Sequence, residues 1–255
     1  MSGPSDTDQN LNTVLNAAKV IDAIDELDGA TLMELTNHLE MATSTVHDYL
    51  HTLETAQYIV KTDGEYQLSL KLFYYGMNAQ RSTGIVSTAK PILQNVAKRT
   101  GETVWLVVEE YGKSVLIEQA TGENSVPMEA NVGDRVPIHS IASGKAILAY
   151  REEEHVRQII DQYGLPARTE RTITDEETLF DELADVRERG FAVNRQESIS
   201  GLRSIAAPIQ KDDRVLAAIS IAGPANRLSD TRIRDEFGPL LLESSNEIEL
   251  KMKYS

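Results

Sequence analysis

Residues 31–56, TLMELTNHLEMATSTVHDYLHTLETA, decide how the N-terminal part of this chain folds. Thr31 followed three residues later by Glu34 is a capping box, able to satisfy the first free amides of a helix. Leu32, Leu35 and Leu39 recur at helical spacing, and Met41-Ala42-Thr43 breaks the period. Ser44 is expected to cap a second helix. There Val46, Tyr49, Leu50 and Leu53 share one face, and the other carries Ser44, Thr45, His47, Asp48, His51 and Thr52. Two short helices, the second with an apolar back and a polar front, are what a helix-turn-helix needs.

The flanking residues turn that motif into a domain. Tyr58-Ile59-Val60 reads as a strand, Thr62-Asp63-Gly64-Glu65 as a turn and Tyr66-Gln67-Leu68 as the returning strand. Asp-Gly favours such a turn because both residues tolerate positive φ. Upstream, Asn10–Leu27 is expected to be the first helix, with Leu11, Val14, Leu15, Ala18, Ile21 and Ile24 as its apolar stripe. Residues 1–9 read as a polar, disordered tail. Residues 10–70 are thus expected to form a winged helix-turn-helix.

Composition bounds what the chain can be. Its 255 residues suit one small and one ordinary domain. No apolar run approaches a membrane span, and the N-terminus lacks a signal peptide's basic and apolar regions, so a cytoplasmic protein without membrane contact is expected. With no cysteine, disulfides and thiolate metal sites are excluded. His47 and His51 stand at i, i+4 without the glutamate of a zinc helix, so neither a metal nor another cofactor is expected. The net charge is −15, and residues 1–80 hold three lysines and no arginine against twelve carboxylates, a net of −9. Phosphate neutralisation by Lys and Arg supplies most DNA affinity at ordinary salt. Either the domain has lost DNA binding, or it works where salt screens charge over a few ångströms. Acid excess, scarce lysine and absent cysteine resemble proteins of salt-accumulating halophiles, and we take the second reading.

Residues 71–100 read as a linker helix, interrupted at Arg81–Gly84 and carrying Pro91, that also meets a partner subunit. From Gly101 the chain turns α/β. Strands are expected over Thr103–Glu110, Ser114–Ala120, Phe191–Val193, Ser204–Gln210 and Val215–Ile221. Helices are expected over Ala146–Tyr150, Glu152–Tyr163, from Thr174 to Arg189, and from a Ser229 cap to about Lys253. The loop His139–Lys145 contains SGK, but no glycine occurs from 134 to 143 and Ala146 replaces the required Ser/Thr, so it is no P-loop. No residue orients His139 as a base for Ser140 or Ser143, so no catalytic set is expected. A polar loop binding a small anion at a helix start fits better, with Glu197, Ser204 and Ser220 able to converge on it.

Six ordered blocks then carry a resemblance: STVHDYLHTLETAQYIV, YQLSLKLFYYG, RTGETVWLVV, PIHSIASGKAILA, GFAVNRQESISGLRSIAAPI and AAISIAGPANRL. Along nearly its whole length the chain resembles IclR-type transcriptional regulators. The resemblance implies a winged helix-turn-helix, a linker helix and, over 101–255, a GAF/PAS-like effector domain, an α+β protein. It also implies a homodimer or homotetramer that binds double-stranded DNA and answers to a small organic acid or sugar-derived metabolite of catabolism. By motif, the effector site would use His139, Ala142, Ser143, Gly144, Glu197, Leu202, Ser204 and Ser220, with Ser204 standing where many members have cysteine. DNA would meet Thr43, Ser44, Thr45, His47, Asp48 and His51, with Lys61 and Tyr66 on the wing. Asp48 stands where the family usually has arginine; an aspartate can accept from cytosine N4 or hold a bridging cation, but cannot pair with phosphate. A metabolite sensor acting through protein contacts alone is the alternative.

Overall fold

Helix α1 (Asp6–Glu26) leads into a short strand β1 (Ala30–Thr31), α2 (Leu32–Leu39) and α3 (Thr43–Thr55), followed by the hairpin β2 (Ile59–Thr62) and β3 (Glu65–Leu68). The computed structural model describes residues 6–212 and 214–254, with backbone alone for 6–11. The capping box forms as read: Thr31 N donates to Glu34 Oε2 at 2.8 Å, and Glu34 N to Thr31 Oγ1 at 3.4 Å. Asp63 (φ 53°) and Gly64 (φ 93°) make the two-residue turn, with Thr62 opposite Glu65. β1 adds a third strand, Ala30 pairing with Tyr66.

Several local expectations are corrected. The first helix begins at Asp6, so the tail expected over 1–9 is helical from there, and residues 1–5 lie outside the described residues. Its stripe is only partly right: Val14 is 70% and Leu15 59% exposed, while Ile24 of the stripe is buried with Val20 and Ala23 against Leu35, Leu50 and Tyr66, and Ile21 packs beside them. Two apolar sets lie side by side on this helix, and periodicity alone cannot say which turns inward. Ser44 does not cap α3. Ala42, extended at ψ 136°, is the cap residue, and its carbonyl accepts from Thr45 and Val46.

The chain divides into two units, Met1–Ala79 and Gln80–Ser255. Helix α4 (Leu70–Ser82) is separated from α5 (Val86–Thr100) at the expected break. The second half of the expected linker is core, however: Ala89, Ile92, Leu93 and Val96 of α5 are fully buried in the second unit.

That unit is built on β4 (Thr103–Glu110), β5 (Lys113–Ala120), β6 (Arg135–Pro137), β7 (Ala192–Arg195), β8 (Leu202–Lys211) and β9 (Arg214–Pro224). They form one antiparallel sheet in the order β6-β5-β4-β9-β8-β7. Side chains alternate across it. Val104, Leu106, Ile205, Ala207, Ile219 and Ile221 pack on α5 and on α10 (Gly238–Lys253). Trp105, Val107, Ala206 and Ala218 face α6 (Ala142–Leu148), α7 (Glu153–Tyr163) and α8 (Glu176–Arg189).

Helix α6 starts four residues before the expected Ala146, after a 3₁₀ turn over Ile138–Ser140, so Ala142–Lys145 is helix and not loop. Asp175, not Thr174, caps α8, accepting from Thr178 N at 2.9 Å. Ser229 caps only the short α9 (Asp230–Arg232); a π-helical turn over Ile233–Phe237 intervenes before α10.

Candidate nucleic-acid interface and effector cavity

On α3, burying Val46, Leu50 and Leu53 leaves Thr43, Ser44, Thr45, His47, Asp48 and His51 exposed together on the outer face. This face offers hydroxyls, imidazoles and one carboxylate, and no lysine or arginine. His47 Nδ1 lies 3.7 Å from Asp48 Oδ1. The wing departs from expectation. Tyr66 is only 4% exposed and belongs to the domain core, because β3 alternates inward at that position and the ring fills the space beside Ile24 and Leu35. Its hydroxyl accepts from Lys61 Nζ at 3.1 Å, and this bond holds the exposed lysine's pKa above its ordinary value. Lys71 serves the fold: its ammonium donates to Ala56 O at 2.8 Å and lies over the Tyr58 ring. On α4, Leu70 is 85% and Phe73 65% exposed, beside Tyr74 and Tyr75.

In the second unit a cavity of about 160 Å³ opens between the sheet, the 3₁₀ turn and the segment after β7. Its wall follows from register. Trp105 pairs with Ser220, Ala222 with Ser204, and Ser204 with Asn194, so these side chains emerge on the same face of the sheet. Of the expected effector residues, Ser143, Leu202, Ser204 and Ser220 line this cavity. His139, Ala142, Gly144 and Glu197 do not. Gly144 is required by packing, since a Cβ there would stand 1.9 Å from Ile138 O.

Glu197 is turned away by a partner the sequence reading missed. Lys145, fully buried, donates to Glu197 Oε1 and Oε2 at 2.9 and 2.8 Å, to Val193 O at 2.8 Å and to Glu182 Oε1 at 3.2 Å. Arg189 Nη2 also donates to Glu182, at 2.7 Å. Burial pushes the Glu182 carboxyl upward, but the charges of Lys145 and Arg189 outweigh it and hold it below the ordinary carboxylate range. The available signal was one lysine inside the apolar run IASGKAILA, where a charge must be buried and therefore paired.

The cavity's other polar groups also went unread. Asn194 Nδ2 donates to Ser140 O and Ser198 Oγ at 2.9 Å each, tying the wall together. Arg203 donates through Nη2 to Asp230, which lowers that carboxyl's pKa. Its Nε is sealed from solvent with no hydrogen-bond partner among the described residues. Arg168 lines the mouth. Hydroxyls, an amide, the Arg168 guanidinium and the carboxylates of Glu129 and Asp134 around a tryptophan floor can hold a small polar molecule. His139 Nε2 is engaged by Pro166 O at 3.2 Å, and no nucleophile–base pair faces the cavity.

Residues 13–63 match the family model described as "IclR helix-turn-helix domain", and residues 77–250 the one described as "Bacterial transcriptional regulator IclR C-terminal". The "Probable HTH-type transcriptional regulator ArcR" of Halobacterium salinarum is 32% identical over 250 residues, covering 96% of this chain and 95% of that protein. The crystal structure of the Thermotoga maritima IclR superposes with a TM-score of 0.76 at 31% identity, over 95% of this chain and 99% of that one. An IclR homolog from Microbacterium hydrocarbonoxydans, complexed with 4-hydroxybenzoate, shares the fold: TM-score 0.80, 22% identity, 96% and 99% coverage.

Proposed function

The chain belongs to the IclR family of transcriptional regulators, and from that premise we propose that it is a homodimer whose effector is a small organic acid. It is a DNA-binding regulator of metabolic genes under small-molecule control, and the outer face of α3 is the surface we assign to the bases. The apolar side chains exposed on α4 support a subunit contact, since single domains rarely leave such a row uncovered. No helix among the described residues is long and apolar enough to cross a membrane.

One observation carries the effector reading: the hydroxyls of Ser143, Ser204 and Ser220 converge with Arg168 and Asn194 on a single cavity floored by Trp105. A carboxylate seated there would accept from these hydroxyls and pair with the Arg168 guanidinium, which suits such a group by its planar donor fork. The hydroxyls would then select the polar end of the acid, while Trp105 and Leu202 cover its carbon skeleton.

Trp105 is the chain's sole tryptophan and lines the cavity, so its fluorescence reports occupancy directly. Titration with a panel of aliphatic and aromatic monocarboxylates should give a saturable change for at least one acid, weakened by Ser220→Ala. The same acid should shift operator affinity by about 5- to 150-fold, the span of ordinary allosteric coupling. If neither the fluorescence nor the operator affinity responds to any acid, the reading is wrong.

A further inference from the structure

A second cavity, of about 170 Å³, lies in the same unit behind the 3₁₀ turn, walled by α6, α7 and the segment before α8. It is as large as the effector cavity, and an apolar cavity of about 150 Å³ suffices to hold benzene. Its lining is largely aliphatic, including Leu148, Val156, Ile159 and Leu165. Three polar side chains interrupt it, His139, Lys113 and Tyr163. His139 is only 3% exposed, and its Nε2 faces a carbonyl, which can only accept. The ring hydrogen therefore sits on Nε2. Lys113 lies 5.5 Å from the Tyr163 ring centroid and forms no ion pair among the described residues. In a chain of forty carboxylates, no Asp or Glu lines this cavity.

We propose that this cavity is a second small-molecule site, distinct from the effector cavity, that takes a ring-sized monocarboxylic acid. The ring lies among the aliphatic side chains and the carboxylate meets Lys113. An amine would find no anion here, and a dicarboxylate only one cation. The site reaches the effector cavity through one turn, since His139 faces the second cavity and Ser140 the first. Burial lowers the His139 pKa and so favours the neutral ring.

The test is ¹⁹F NMR titration of the full chain with 4-fluorobenzoate, with fluorobenzene as the uncharged probe. Ala222→Phe fills the effector cavity and Ile159→Trp the second one; far-UV circular dichroism checks the fold of each. In Ala222→Phe one saturable site should remain, and adding Ile159→Trp should abolish it. Lys113→Met should weaken 4-fluorobenzoate tenfold or more at that site and leave fluorobenzene unchanged. The proposal is overturned if Ala222→Phe alone abolishes binding, or if Lys113→Met affects both probes equally. Should Ile159→Trp fail to fold, the Lys113→Met comparison still decides.

Discussion

The exposed face of α3 makes a quantitative demand on salt dependence. Of the three lysines in residues 1–80, Lys19 is exposed on α1, away from the polar face of α3 in sequence, Lys71 is held by Ala56 O and two tyrosines, and Lys61 is the one on the wing. Counting one phosphate contact per protomer, two per dimer, counterion release gives a slope of log K against log[salt] of about −1.8. Raising KCl from about 0.1 to 1 M should then cost only about 60-fold in affinity, where a regulator with ten phosphate contacts would lose many orders of magnitude more. Asp48→Arg adds one cation per protomer on α3, where the side chain is exposed and not needed for packing. Its slope should steepen to about −3.6, and binding at the low-salt end should tighten. Fluorescence anisotropy of a labelled duplex carrying the gene's own upstream region measures both, at about pH 8 where histidines are neutral. A wild-type slope of about −6 or steeper would show that phosphate-binding cations come from elsewhere in the chain. An unchanged slope in a folded Asp48→Arg protein would remove α3 from the DNA interface.

Three other outcomes follow from the geometry. Lys145→Met leaves Glu197 buried without its cation and should cost about 3–5 kcal/mol in urea unfolding; a loss below about 1 kcal/mol would show that Glu197 takes up a proton or finds another donor. His139 has its pKa held below the ordinary 6.5, so the unfolded state binds more protons: stability is complete above pH 6.5 and falls as pH drops through the depressed value. The slope there is up to about 1.4 kcal/mol per pH unit, and His139→Gln should flatten it between otherwise matched urea curves. Phe73→Asp puts a charge into the exposed row on α4 and should weaken self-association about 10- to 100-fold by sedimentation velocity, the equivalent of burying one such side chain; unchanged association would move the subunit contact elsewhere.

Much of this protein was legible locally. The Thr31–Glu34 box and the Asp63-Gly64 turn each depend on residues a few positions apart, and each formed as read. Ser204 and Ser220 were read as able to converge, and the register of β8 on β9, Ser204 opposite Ala222 and Ala206 opposite Ser220, is what puts both on one side of the sheet. What went unread depends on partners far along the chain. Glu197 looked like a ligand group until Lys145, 52 residues away, took both its oxygens. Tyr66 looked like a wing contact until the three helices closed over its ring, and the second cavity exists only because α7 packs across the turn that holds His139. Sequence alone determined the elements, their order and the charge of the DNA-facing unit, because propensity, capping and composition act over short range. The tertiary structure decided which of two apolar faces turned inward and which polar groups were spent on one another, because burial and buried charge pairing are settled only when distant segments meet.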